Sequence, residues 1–185
     1  MSMHLAVGIT GASGYCLGHE ITQALASRGH DVTLIVSDAA PQIALLEGCD
    51  VAATRALATA ALGEHDLAAA VSSSTAAPDA MIIAPCSLKT LSSIAHGYGD
   101  NLITRTAETC LRMRRPLVLM PRETPLSLMA VENMRTLILA GAVMLPPVIA
   151  YYTHPQTIGD VTAFFVGKAL DALGIAHDLP SWRGV

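Results

Sequence analysis

Five short apolar runs, HLAVGIT (4–10), DVTLIVS (31–37), AMIIAPC (80–86), PLVLMP (116–121) and AVMLPP (142–147), alternate with segments whose apolar residues recur at helical spacing. The third and fourth runs are continuously apolar, as strands covered on both faces must be. Strands that alternate with helices in this way pair in parallel through crossover connections. The expected architecture is therefore α/β: a doubly wound, mostly parallel sheet with helices on both faces, in one domain spanning residues 1–185. YCLGHEITQALASRG (15–29) supplies the first helix, closed by Gly29, and further helices are expected over 39–47, 64–71, 88–96, 102–114, 125–140 and 157–173.

In such a sheet ligands bind at the carboxyl ends of the strands, so those ends are where chemistry is sought. The first strand runs into GITGASG, where Gly8, Gly11 and Gly14 let the backbone turn tightly and Ser13 and the next helix's free amides offer donors. The spacing is neither the G-x-G-x-x-G of a dinucleotide site nor a phosphate loop with Gly-Lys-Ser/Thr. A turn that serves only strand-to-helix packing is the competing reading. The second strand ends in Ser37 and Asp38, which either cap the next helix or face a ligand. The third ends in APCSLKT, whose Ser87, Lys89 and Thr90 open a helix, while Cys86, with no histidine partner in view, reads as packing rather than as a nucleophile. Arg105 and Arg112 lie two helical turns apart and share a face, which suits either solvent or an anionic group. Arg122 and Glu123 join the fourth strand to a helix. Glu123 can cap that helix, where a first-turn carboxylate complements the dipole.

Composition narrows the function classes. Charged residues make up 14% of the 185-residue chain and hydrophobic ones 52%, against about 25% charged in ordinary soluble domains. No run reaches the roughly 18 apolar residues of a spanning helix, and MSMHLAVGIT lacks the basic start of a signal peptide. The surplus apolar surface points to a homo-oligomer larger than a dimer, built through Ala- and Leu-rich helix faces. With a net charge of -4, 4% aromatics and no basic run beyond RMRRP, nucleic acid is excluded as a partner. Cys16, Cys49, Cys86 and Cys110 are widely spaced, and the seven histidines show no ligand spacing, so reduced thiols, a cytoplasmic location and no metal are expected.

Taken together, GITGASG, IVSDAA, APCSLKTLSSIAHGYGDNLITRTAE, RRPLVLMPRETPLSLMAVENM, GAVMLPP, YYTHPQTIGDV and KALDALGI resemble the UbiX-like flavin prenyltransferases, collinearly over almost the whole chain. The resemblance implies a Rossmann-like flavoprotein fold, a homododecamer, and transfer of a dimethylallyl group from dimethylallyl monophosphate to N5 and C6 of reduced FMN without metal. The product, prenylated FMN, would pass to UbiD-like decarboxylases. FMN contacts would fall on Gly11, Ala12, Ser13, Ser37, Ser87, Leu88, Lys89, Thr90 and Arg122. Prenyl-phosphate contacts would fall on Ser73, Arg105, Arg112, Arg122, Glu123, Tyr152 and Lys168, with Glu123, Ser13 and Arg122 catalytic and the charged pair buried. Departures from the family pattern gather on the prenyl side: SSSTAAP stands for S-G-S-F, Arg112 for a lysine, Met113 for a glutamate, Lys168 for an arginine, Tyr151 for a phenylalanine and Ala130 for a histidine. Competing readings are a paralogue that stores or carries FMN without prenyl transfer and a cysteine-type decarboxylase, whose usual segment is replaced by APCSLKT. A dinucleotide reductase would want a Tyr-x-x-x-Lys that is missing. His96, His154 and Trp182 read as structural, with a second reading for Trp182 as a cover over the flavin.

Overall fold

The structure, a computed structural model, describes residues 2–179, so Trp182 lies outside the described residues. The chain runs β1 (His4–Ile9), α1 (Tyr15–Ala26), β2 (Asp31–Val36), α2 (Ala40–Glu47), α3 (Val51–Ala56) and β3 (Ala60–Gly63). It continues through β4 (Ala80–Cys86), α4 (Leu88–Ala95), α5 (Leu102–Arg112), β5 (Leu117–Pro121), α6 (Leu128–Leu139), β6 (Val143–Met144) and α7 (Ile158–Ala172). The strands form one sheet in the order β3-β2-β1-β4-β5-β6. Every pairing is parallel. This is the Rossmann order, with its reversal between β1 and β4.

Two cores sandwich the sheet. On one side α1, α2 and α7 pack on Val7, Ile9, Val36, Ile82 and Val118; on the other α4, α5 and α6 pack on Ala6, Ile35, Met81, Ile83 and Leu119. Alternate residues of each strand thus go to opposite layers, and β4 and β5 are buried at every position, which is why they read as unbroken apolar runs. Because the strands are parallel, each returning helix runs the other way, so helix N-termini lie at the carboxyl edge of the sheet. Side chains fix those starts: Ser87 caps α4, Ser127 caps α6, and Asn101 with Thr104 and Thr157 with Asp160 form capping boxes on α5 and α7.

Several boundaries differ from the sequence expectations. The helix expected at 64–71 is instead turns and a single 3-10 turn, Ala70–Ser72. Edge strand β3 (AALG) was not foreseen, since it is half-exposed and carries neither β-branched nor aromatic residues. Helix α3 was missed although Asp50 caps it through the amides of Ala52 and Ala53. The fifth expected strand shrinks to two residues because Pro146 and Pro147 carry no amide to donate. The helix expected from 125 starts at Leu128, behind its Ser127 cap.

The thiols also differ from expectation. Cys16 and Cys49 form a disulfide with a Cα–Cα distance of 6.0 Å, leaving Cys86 and Cys110 free and buried among the described residues. Distance along the chain hid this pair, which meets only because α2 turns back toward the start of α1. Closing a loop of this length restricts the unfolded chain by about 4 kcal/mol in the chain-entropy account.

Gly18 on α1 marks the tightest helix–sheet approach: a Cβ there would collide with the Ala84 carbonyl oxygen and come within 2.8 Å of Ile9 Cδ1. Overpacking against backbone costs typically 1–3 kcal/mol. Gly18→Ala is expected to lower the thermal midpoint by about 5–10 °C in a calorimetric scan, while Gly29→Ala, whose Cβ would meet nothing, pays only for its positive φ.

Candidate functional site

At the β1/β4 reversal one hydroxyl joins the two strand ends. Thr10 Oγ1 donates to the Pro85 carbonyl (2.8 Å) and accepts from the Ser87 amide (2.8 Å), and the Thr10 amide reaches the same carbonyl at 3.3 Å. Thr10 is fully buried. It was not singled out in the sequence, where a threonine ending a strand carries no distinguishing mark.

Beyond it the loop Gly11–Gly14 must pass close to α2. A Cβ on Gly11 would lie 2.5 Å from Ala39 Cβ, and Gly14 takes φ 110°, so both positions require glycine. The amides that open α1 face an anion already in place. The Glu47 carboxylate accepts from Ser13 Oγ (2.8 Å), the Gly14 amide (2.6 Å) and the Cys16 amide (3.3 Å). Glu47 ends α2 and was also missed; no local pattern links it to Ser13, 34 residues earlier.

Ser37, at the end of β2, is buried, and its Oγ has no hydrogen-bond partner among the described residues. Such a group costs about 1–3 kcal/mol unless something else satisfies it. The capping alternative for Ser37 and Asp38 fails, because α2 starts behind Ala39 without a side-chain cap. Asp38 instead accepts from His65 Nε2 (2.8 Å), and its amide donates to Glu64 Oε1 (2.7 Å), while Glu64 Oε2 takes Asn101 Nδ2 (2.8 Å) at the start of α5. The Asp38 hydrogen bond and charge raise the pKa of exposed His65. The contribution of that contact is complete below pH ~6.5 and is lost as pH rises through the folded value.

At the end of β4, Ser87 Oγ accepts from the Thr90 amide (3.3 Å) and donates to Thr90 Oγ1 (3.1 Å), with Leu88 half-buried between them. Lys89 turns outward to Asp100, 3.5 Å away. Cys86 is wholly buried, and burial pushes its thiol up to about 12. The packing role expected for it stands.

Arg122 follows β5, its amide donating to the Cys86 carbonyl (3.3 Å), and its Nη1 is 3.9 Å from Glu123 Oε1. Their side chains are 42% and 41% exposed. This corrects the expected burial: in one chain the loop 122–127 has no layer above it. Glu123 accepts from the Thr124 amide (3.0 Å) and does not cap α6, whose cap is Ser127. Arg105 sits exposed one turn into α5.

The remaining expected ligands lie elsewhere. Arg112 ends α5, about 15 Å of helix from its start, and donates to Thr109 Oγ1 (3.2 Å), which donates to the Ser72 carbonyl (3.1 Å) next to Ser73. Ser73 and Arg112 therefore both lie at the opposite, amino edge of the sheet. Tyr152 and Lys168 meet across Phe164, whose ring lies 6.2 Å from that of Tyr152 and 5.7 Å from Lys168 Nζ. One protomer thus assembles Gly11, Ala12, Ser13, Ser37, Ser87, Thr90 and Arg122 at one edge and leaves Ser73 with Arg112 and Tyr152 with Lys168 as separate groups.

A glycine-floored cleft at a Rossmann switch point, lined by hydroxyls with one of them buried and unsatisfied, and with arginine at its rim, fits a mononucleotide carrying a flat ring. Fold and site define a flavoprotein. The flavoprotein family model matches residues 1–170. The flavin prenyltransferase UbiX of Methanothermobacter thermautotrophicus is 41% identical over 97% of this chain and 95% of its own. Among solved structures, the dodecameric FMN-dependent UbiX-like decarboxylase from Escherichia coli O157:H7 is 40% identical, with a TM-score of 0.95 over 98% of this chain and 100% of that one. AnUbiX (PadA1) in complex with FMN and dimethylallyl pyrophosphate is 39% identical, with a TM-score of 0.96 over the full length of both chains. The chain belongs to the UbiX-like flavin prenyltransferases.

Replacing Thr10 by valine keeps the shape, strands the Ser87 amide and leaves the Pro85 carbonyl only the longer bond from the residue-10 amide. Thr10→Val is expected to cost about 1–3 kcal/mol of stability and to weaken FMN binding roughly tenfold, read by quenching of flavin fluorescence.

Proposed function

We propose that the protein is a flavin prenyltransferase that takes reduced FMN and dimethylallyl monophosphate and gives prenylated FMN and phosphate, without metal. The observation that carries this reading is the convergence, at one sheet edge, of the unsatisfied Ser37 hydroxyl, the Ser87–Thr90 helix start and Arg122 with Glu123. The near full-length likeness to a structure that holds FMN together with an allyl diphosphate supports it. The donor is the same class of allyl phosphate ester; the monophosphate remains the proposed form.

Bound at the switch point, reduced FMN supplies the nucleophilic nitrogen and carbon. Gly11, Ala12 and Ser13 give it a floor, and Ser37, Ser87 and Thr90 supply hydroxyls, with Leu88 and Lys89 contributing backbone and stem around them. Arg122 reaches the allyl phosphate ester and stabilises the negative charge that grows on the bridging oxygen as the carbon–oxygen bond breaks. Holding the allyl carbon against the ring converts an encounter into a positioned step. Glu123, beside Arg122, takes the proton that alkylation releases.

Ser73, Arg105, Arg112, Tyr152 and Lys168 complete the phosphate grip by contributions from more than one copy. The groups they form within one chain are set apart, and Leu128, Met129, Ile138 and Leu139 on α6 are exposed at 72%, 66%, 53% and 74%. A homododecamer whose contacts cover α6 and the Arg122–Glu123 loop would exclude water from the ionising allyl group. We also propose a cytoplasmic location and transfer of the product to a UbiD-like decarboxylase; no helix among the described residues is long and apolar enough to cross a membrane.

Anaerobic incubation with reduced FMN and dimethylallyl monophosphate, followed by mass spectrometry of the extracted flavin, is expected to show a gain of one prenyl unit. Unchanged flavin would instead indicate a carrier. Glu123→Gln is expected to slow the gain by about 10²- to 10⁴-fold with FMN still bound. Arg112→Ala is expected to raise the allyl phosphate requirement while leaving FMN affinity unchanged.

A further inference from the structure

We propose that the Cys16–Cys49 disulfide is a thiol-redox latch that sets the flavin affinity of this site by holding Glu47 against Ser13 and the start of α1. The inference rests on the flavin-binding reading above and adds a control to it. Three observations meet at one place. Cys16 occupies the first turn of α1, three residues after Ser13, and Cys49 follows Glu47 by two, across Gly48 in the left-handed conformation at φ 70°. Between them the Glu47 carboxylate takes three donors, Ser13 Oγ, the Gly14 amide and the Cys16 amide. Both cysteines are half-buried, so a small dithiol can reach them, whereas Cys86 and Cys110 are buried with their thiols pushed up to about 12 and offer no competing partner.

The disulfide closes a short ring through Ser13–Cys16 and Glu47–Cys49 and so fixes the carboxylate where it orients the Ser13 hydroxyl. The chemistry is a two-electron exchange. A dithiol breaks the Cys16–Cys49 sulfur–sulfur bond, each cysteine sulfur gains one proton, and the dithiol closes its own disulfide. Afterwards α3 still docks on α1, through His19 Nδ1 and Thr54 Oγ1 at 2.9 Å, but the Gly48 turn no longer pins Glu47. Ser13 and the α1 amides then lose their fixed acceptor, and the floor under the flavin loosens.

The test uses full-length protein, oxidised with glutathione disulfide or reduced with dithiothreitol and freed of reagent. Under denaturing conditions the thiol count should be two and four respectively. FMN affinity, read aerobically by fluorescence quenching, should be about tenfold weaker in the reduced protein and recover on reoxidation. Its midpoint against the dithiol-to-disulfide ratio should coincide with that of the thiol count. Cys49→Ser should match the reduced protein at every ratio; should it fail to fold, the reversible wild-type titration decides alone. In Ser13→Ala the redox dependence of affinity should shrink severalfold, which a purely structural disulfide would not produce. Equal FMN affinity in both wild-type states overturns the latch, as does a count of four thiols in the oxidised sample. Absence of FMN binding in either state overturns the flavin reading itself.

Discussion

The hydroxyl of Thr10 fixes the spacing of the two strand ends on which the rest of the site is built. Where β1 and β4 part, the Ser87 amide would otherwise be unpaired and the Pro85 carbonyl would keep only the longer bond from the Thr10 amide. Thr10 satisfies both, so the Gly11–Gly14 loop and the start of α4 are held at one separation. The contacts built on that spacing are local. Gly11 touches α2, Ser87 caps α4, and the Arg122 amide reaches back to the Cys86 carbonyl.

Charge is spent sparingly and at the rims. The ion pairs among the described residues are exposed to some degree on at least one side, and such pairs contribute about 0–1 kcal/mol each. Stability therefore comes mainly from the two apolar layers. The separation of Ser73 with Arg112 from Arg122 follows from the same architecture. A helix that returns antiparallel to its strands must deliver its last turn to the wrong edge for its own cleft. The exposed leucines of α6 make the corresponding statement for surface: one chain leaves uncovered what several copies can share.

How much of this was legible depends on the range of the interaction. The buried parallel strands, the helices between them and the ligand-bearing strand ends follow from period and apolar runs, which are local. Ser37, Ser87 and Thr90 were legible as candidates because they lie where a strand gives way to a helix. The edge strand β3 was illegible because only a β2 already in place gives AALG a reason to extend. Thr10 and Glu47 were missed because their partners are 75 and 34 residues away in sequence. Burial of Arg122 and Glu123 was expected from their place at a strand end, but one chain leaves them at the surface, so the cost of a buried pair arises only in an assembly that covers them.

The α2–α3 connection shows why the long-range contacts matter most. Considered alone, LLEGCD is an exposed helix end with a glycine stop, and its glutamate and cysteine carry no shared pattern with GASGYC. Folded, the two segments form one unit in which a carboxylate from α2 occupies the amide cradle of α1, as an anion at a helix start should. That cradle is the place where a phosphate would otherwise be welcome. With Glu47 in it, negative charge is already supplied there by the protein. The position of one acidic side chain thus decides whether the start of α1 can face another anion.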